Sequence, residues 1–200
     1  MFLRIEVKMR KKSHISLAKG VIHGLDIGER VNHRLSFFVG SIWPDCTPSF
    51  LTKRHCIDDT FDIMAKKMDK FISKYNANKD MGISSTWRMG IVLHYIADYF
   101  TYPHNSNYPG GFKDHCIYEE ELKHRMYKYV ADLKQTAPKQ DVPVFASTKQ
   151  ILEYIKNIHN KYMQLDGRVD YDCGYSVRTC MSVMASLLYI AGKKEMALAA

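Results

Sequence analysis

Two His-x-x-x-carboxylate pairs, His94 with Asp98 and His115 with Glu119, stand close together in the chain, and His104 lies between them. On an α-helix, residues i and i+4 project from one face, so each pair can present a nitrogen and an oxygen ligand together. The first pair is embedded among Ile91, Val92, Leu93, Ile96, Ala97 and Phe100, which makes that stretch a core helix. A buried imidazole beside a buried carboxylate is costly unless something satisfies both. A divalent metal with ligand bonds of ~2.0–2.2 Å would do so. Pro103 stops the first helix, and His104 follows where the chain can turn back over the helix end. Two adjacent helices carrying such pairs, with a further histidine in the connection, are a way for helical proteins to surround a metal site.

The elements that must position these residues read as helices. Ser13 is a candidate N-cap for a helix carrying Ile15, Leu17, Ala18, Val21 and Ile22 and ending between Gly24 and Gly28. A second apolar segment, residues 35–43, stops at Pro44. A third helix starts near Asp58 with Phe61, Ile63, Met64, Met68 and Phe71 as its apolar positions. Ser84 or Ser85 opens the fourth, over residues 87–102, which is apolar nearly all round and so belongs in the core. Residues 113–133, 147–165 and 169–190 supply the rest, with a turn or loop at residues 138–143. This pattern predicts an all-α fold of six or seven helices in one domain over residues 13–200. Residues 1–12 read as a short N-terminal leader, with Met9 as an alternative start.

Composition bounds the function. The 200 residues are 46% apolar and 25% charged, as in an ordinary globular protein. A net charge of +8 and a pI near 9.1 suggest an anionic partner, either a phosphate-bearing substrate or a membrane surface. Five cysteines form no C-x-x-C pair, so neither a disulfide framework nor a thiolate knuckle follows from them. The basic N-terminus lacks an apolar h-region, and no run approaches the ~18 apolar residues of a membrane span. A reduced, cytoplasmic chain is the expectation.

The run L-H94-Y-I-A-D98, P-H104 and H115-x-x-x-E119 resembles the bacterial zinc-dependent phospholipases C, which share a helical fold with the S1/P1-type nucleases. The likeness extends from about Ser13 to Glu119. It implies that Asp98 bridges two zinc ions, that His94 binds one of them, and that His104, His115 and Glu119 hold another. The segment G40-S-I-W-P-D45 followed by H55 is similar to the aspartate and histidine that complete the first zinc site in that family. K12-S13-H14 resembles the early helix whose histidine, here His14, helps to hold a third zinc. The family's mature N-terminal tryptophan, the other ligand group there, has no counterpart, and the amine of a Met1 or Met9 start would have to replace it.

The resemblance implies a phosphodiesterase with two or three zinc ions per chain. Zinc would polarise the phosphoryl oxygens and lower the pKa of a water toward ~7. Asp98 then acts as the bridging catalytic carboxylate, and Asp45 is the candidate to orient or deprotonate that water. The expected substrate is a phospholipid or another phosphodiester, with peripheral contact to an anionic membrane surface; nucleic acid is the lesser expectation. Trp43, Phe50, Tyr95, Tyr99, Tyr102 and Tyr108 are candidates to bind lipid, a quaternary ammonium group or a base, although Trp43 and Tyr95 also fit a core role. Lys53 and Arg54 could contact phosphate. Asp58, Asp59 and Asp62 read as charges of a helix's first turns. His23, His33, His124 and His159 fit no metal spacing. The competing functions are an S1/P1-type nuclease or nucleotidase and a non-catalytic zinc-binding module. A helical phosphohydrolase built on an adjacent His-Asp dipeptide is excluded, because the chain has none.

Overall fold

Helix α4 (Ile83–Tyr99) is the element around which the others are arranged. The computed structural model describes residues 2–47, 54–75, 81–136 and 140–198. Around α4 lie α1 (Phe2–Gly24), α2 (Arg34–Ile42), α3 (Ile57–Lys74), α5 (Phe112–Thr136), α6 (Thr148–Tyr162) and α7 (Val169–Leu198). Short 3-10 turns follow α2 (Pro44–Cys46) and α4 (Tyr102–His104). No strand occurs among the described residues, so the molecule is all-α as expected.

Every residue of α4 from Met89 to Tyr99 is buried, which is why its sequence shows no polar stripe. Leu17, Ala18 and Val21 of α1, Phe37 of α2, Met64, Met68 and Phe71 of α3, and Val177, Cys180, Met181 and Met184 of α7 surround it in one continuous core. Full burial of one such side chain contributes about 1.5–3 kcal/mol.

Helices α2 and α4 approach backbone to backbone, and glycine makes this possible. A Cβ on Gly90 would lie 2.3 Å from the Phe37 carbonyl oxygen and 2.6 Å from the Ser41 nitrogen. A Cβ on Gly40 would lie 2.2 Å from the Trp87 carbonyl oxygen. Mid-helix glycine costs about 1 kcal/mol relative to alanine, and here that cost permits backbone-to-backbone approach.

Three boundaries differ from the sequence reading. Ser13 is not an N-cap: it is buried inside α1, which already begins at Phe2 because nothing in residues 2–12 breaks a helix. Helix α4 is capped by Gly82 rather than by Ser84 or Ser85. It ends at Tyr99, before Pro103 is reached, because Asn105 Nδ2 donates to the carbonyls of Tyr99 (3.2 Å) and Thr101 (2.9 Å) and so satisfies groups a longer helix would have used. Ser147 caps α6, its Oγ accepting from the Gln150 amide at 3.3 Å. The loop expected at residues 138–143 lies partly outside the described residues.

Candidate metal centre

Asp98 stands at the middle of the site with a different set of partners on each oxygen. Its Oδ2 lies 3.0 Å from His55 Nδ1 and 3.1 Å from His94 Nε2. Its Oδ1 lies 3.2 Å from His14 Nε2 on α1, whose ring stacks on that of His94 at 4.2 Å. Asp45, in the 3-10 turn after α2, brings Oδ1 to 3.4 Å from His55 Nδ1 and 3.6 Å from His94 Nε2. All five side chains are buried. Burial alone would raise the Asp98 carboxyl, but His94, His104 and His14 face it and together hold it well below the usual carboxylate range.

His94 is aimed by the α2–α4 contact. Its Nδ1 lies 3.0 Å from the Ser41 carbonyl, which fixes Nδ1 as the protonated nitrogen and turns the Nε2 lone pair toward Asp98. The tight glycine crossing is what brings that carbonyl within reach.

A second group sits where the Tyr102–His104 turn meets the first turns of α5. His104 Nε2 lies 3.3 Å and His115 Nε2 3.2 Å from the same Glu119 oxygen. The turn is braced from α7 by Asp172, which sequence reasoning did not single out. Its carboxylate accepts from the Tyr102 amide (2.9 Å), the Tyr118 hydroxyl (2.8 Å) and the Tyr162 hydroxyl (2.6 Å). Burial nevertheless pushes the Asp172 carboxyl up to about 6. No local pattern marks this residue, since two of its three partners, Tyr102 and Tyr118, come from distant parts of the chain.

The donor sets fit a divalent metal. In each group the ligand atoms all lie within 4.8 Å of one another. In the first group the histidine–histidine and histidine–carboxylate distances of 3.0–3.6 Å bracket the roughly 3.4 Å edge of a tetrahedron with bonds of about 2.1 Å. His55 Nδ1 and His94 Nε2 lie 3.0 Å apart and both face one carboxylate. One carboxylate oxygen, Asp45 Oδ2, is buried with no hydrogen-bond partner. Such an orphan acceptor is expensive unless a cation or a water lies against it.

Seven of the eight residues singled out as candidate ligands lie in these two groups, and His14 stands beside the first, against Asp98 Oδ1. The other candidates scatter. Tyr95 is buried with ring centroids 5.6 Å from both His55 and His94. Tyr99 is fully buried and pairs with Thr60 at 3.1 Å, so it cannot meet a ligand. Tyr108 stands 6.3 Å from His115, ring to ring, and 5.2 Å from Tyr102. Trp43 is 43% exposed rather than in the core, because α2 turns that edge outward. Arg54 pairs with Asp59 at the surface, and Phe50 and Lys53 lie outside the described residues. Asp58 and Asp59 occupy the first turn of α3. His33 and His124 are exposed, whereas His159 is buried against Asn105 at 2.9 Å. The helix that carries His14 continues back to Phe2, about 18 Å along its axis.

Fold and site together define an all-helical protein with a buried His/Asp cluster able to hold metal. A family model described as zinc dependent phospholipase C matches residues 13–167, and the chain belongs to that family. No curated protein and no solved structure gives a match.

Proposed function

We propose that this chain is a phospholipase C-like hydrolase that cleaves a phospholipid phosphodiester with two or three zinc ions. The observation that carries the reading is the convergence of seven ligand atoms, from segments far apart in sequence, into two compact groups. Asp45, His55, His94 and Asp98 Oδ2 would hold one ion, and His104, His115 and Glu119 another. Asp98 Oδ1 and His14 offer a further position. When bound, zinc supplies Lewis-acid polarisation of phosphoryl oxygens and lowers the pKa of water toward ~7.

The chain's own residues would do the rest. Asp98, held ionised by three facing imidazoles, provides fixed negative charge between the two sides of the first group. Asp45 Oδ2, buried with no hydrogen-bond partner, would accept a proton from the attacking water. His94 is held in one tautomer by the Ser41 carbonyl and so offers Nε2 only as a ligand. Five thiols with no disulfide among them fit a cytoplasmic location, and no helix among the described residues is long and apolar enough to cross a membrane.

The test is zinc analysis with hydrolysis of phosphatidylcholine, a chromogenic phosphodiester and single-stranded DNA, each with and without chelator. His94→Ala and Asp98→Ala should lose both metal and hydrolysis. A variant with full zinc and full activity would sink the assignment. Preferential cleavage of DNA would move the substrate to the nuclease class, and a single zinc with no turnover would mark a binding module.

A further inference from the structure

Helix α2 turns an apolar edge to solvent. Leu35 is 77% exposed, Val39 37% and Trp43 43%, and their i, i+4, i+8 spacing makes them one stripe along the helix. Ile83, 64% exposed, continues it: the Ser36 hydroxyl, beside Leu35, donates to the Ile83 carbonyl at 2.7 Å. Helix α2 carries one arginine, Arg34, and no carboxylate. At its Trp43 end the stripe meets a cavity of about 220 Å³ whose walls include Trp87, Lys67 and the candidate ligand His55.

A basic cluster stands at that same end. Lys67 lies over the Trp87 ring at 5.5 Å, and Trp43 packs edge-on against Trp87 at 5.9 Å. Burial, then the neighbouring Lys70 and Arg88, pull the Lys67 ammonium below its usual value, so these cations crowd one another. Among the described residues none of the three is ion-paired to a carboxylate. An exposed apolar stripe rimmed by uncompensated cations, with a tryptophan at the boundary, matches a surface that is apolar within and anionic at its rim.

We propose that the Leu35–Val39–Trp43 edge of α2, with Ile83 and the Lys67/Lys70/Arg88 cluster, is the face by which this protein docks on an anionic phospholipid bilayer. This rests on the phospholipase reading for its biological sense, and it adds the surface that presents the site to lipid. The apolar edge enters the headgroup boundary, and the cations meet anionic headgroups. The face of the protein that His55 lines then stands against the membrane.

Full-length, zinc-loaded protein is co-sedimented with vesicles of phosphatidylcholine with and without phosphatidylserine. Binding should require phosphatidylserine and weaken as salt screens the cations. Leu35→Ser/Val39→Ser should weaken it by roughly tenfold or more, the factor for withdrawing about one apolar side chain from burial. Lys67→Gln/Lys70→Gln should remove the preference for phosphatidylserine. In the wild type, lipids brominated in the acyl chain should quench tryptophan emission, and Trp43→Phe should abolish that quenching. Undiminished binding of the Leu35→Ser/Val39→Ser protein, or an absence of quenching, overturns the proposal. So does a dimer that dissociates in that variant while vesicle binding persists, since the face would then join two copies. Binding is read without turnover, so a failure to hydrolyse lipid would overturn the enzymatic reading and leave the docking result standing. Hydrolysis of a soluble short-chain phosphatidylcholine should be unchanged in Leu35→Ser/Val39→Ser.

Discussion

Replacing Gly90 by alanine adds one methyl group where α2 and α4 leave no room. The new Cβ would sit 2.3 Å from the Phe37 carbonyl oxygen, whereas a comfortable contact is about 3.5 Å. The two helices must therefore part by about 1 Å. Overpacking of this kind costs about 1–3 kcal/mol. The parting also draws the Ser41 carbonyl away from His94 Nδ1, now 3.0 Å distant. A buried ring N–H left unsatisfied costs about 1–3 kcal/mol more. Alanine's better helix propensity returns about 1 kcal/mol, so the net loss centres near 3 kcal/mol. For a chain of this length that lowers Tm by about 7 °C. The assay is thermal unfolding followed by circular dichroism, in chelator and in zinc, with zinc content measured alongside. Gly174→Ala is the control, because nothing lies within 4 Å of a Cβ there, and it should be neutral or stabilising by up to about 1 kcal/mol. A Gly90→Ala protein with unchanged Tm and undiminished zinc would refute the argument that glycine at this crossing aims His94.

The two ligand groups should empty separately: His115→Ala or Glu119→Gln should lower zinc content by one equivalent and leave the ion held at Asp98, as read by metal analysis. Tyr162→Phe removes the hydroxyl that donates to Asp172 Oδ1 at 2.6 Å, and urea unfolding should show a loss of about 1.5–3 kcal/mol. The raised carboxyl of Asp172 fixes a sign with pH. The folded state holds this proton more tightly than the unfolded chain, so its stabilising contribution is complete below about 4 and lost as pH rises through about 6. The stability of Asp172→Asn relative to the wild type should therefore improve by up to about 3 kcal/mol between these limits, and a difference that is flat with pH would contradict the burial argument.

The helical class and the principal candidate ligands were legible locally, because periodicity and i, i+4 spacing are properties of a single helix. His94 with Asp98 and His115 with Glu119 needed no knowledge of neighbouring elements. Asp45, His55 and His14 came only from resemblance, since each lies on a different element and nothing in its own surroundings points inward. Tertiary structure alone brought them to Asp98 and assigned one carboxylate oxygen to His55 and His94 and the other to His14.

Helix ends were less legible, because they depend on distant groups. Asn105 reaches back to close α4 before Pro103 can, and the start of α1 at Phe2 leaves Ser13 with nothing to cap. The same limit hid Asp172, whose three donors come from the Tyr102 turn, α5 and α6. It also hid the exposure of Trp43, which the sequence leaves open between a binding aromatic and a core residue and which the structure leaves at the surface. What a residue can bind is written in its type and spacing. What it faces is decided by the packing of helices that the chain brings together from far apart.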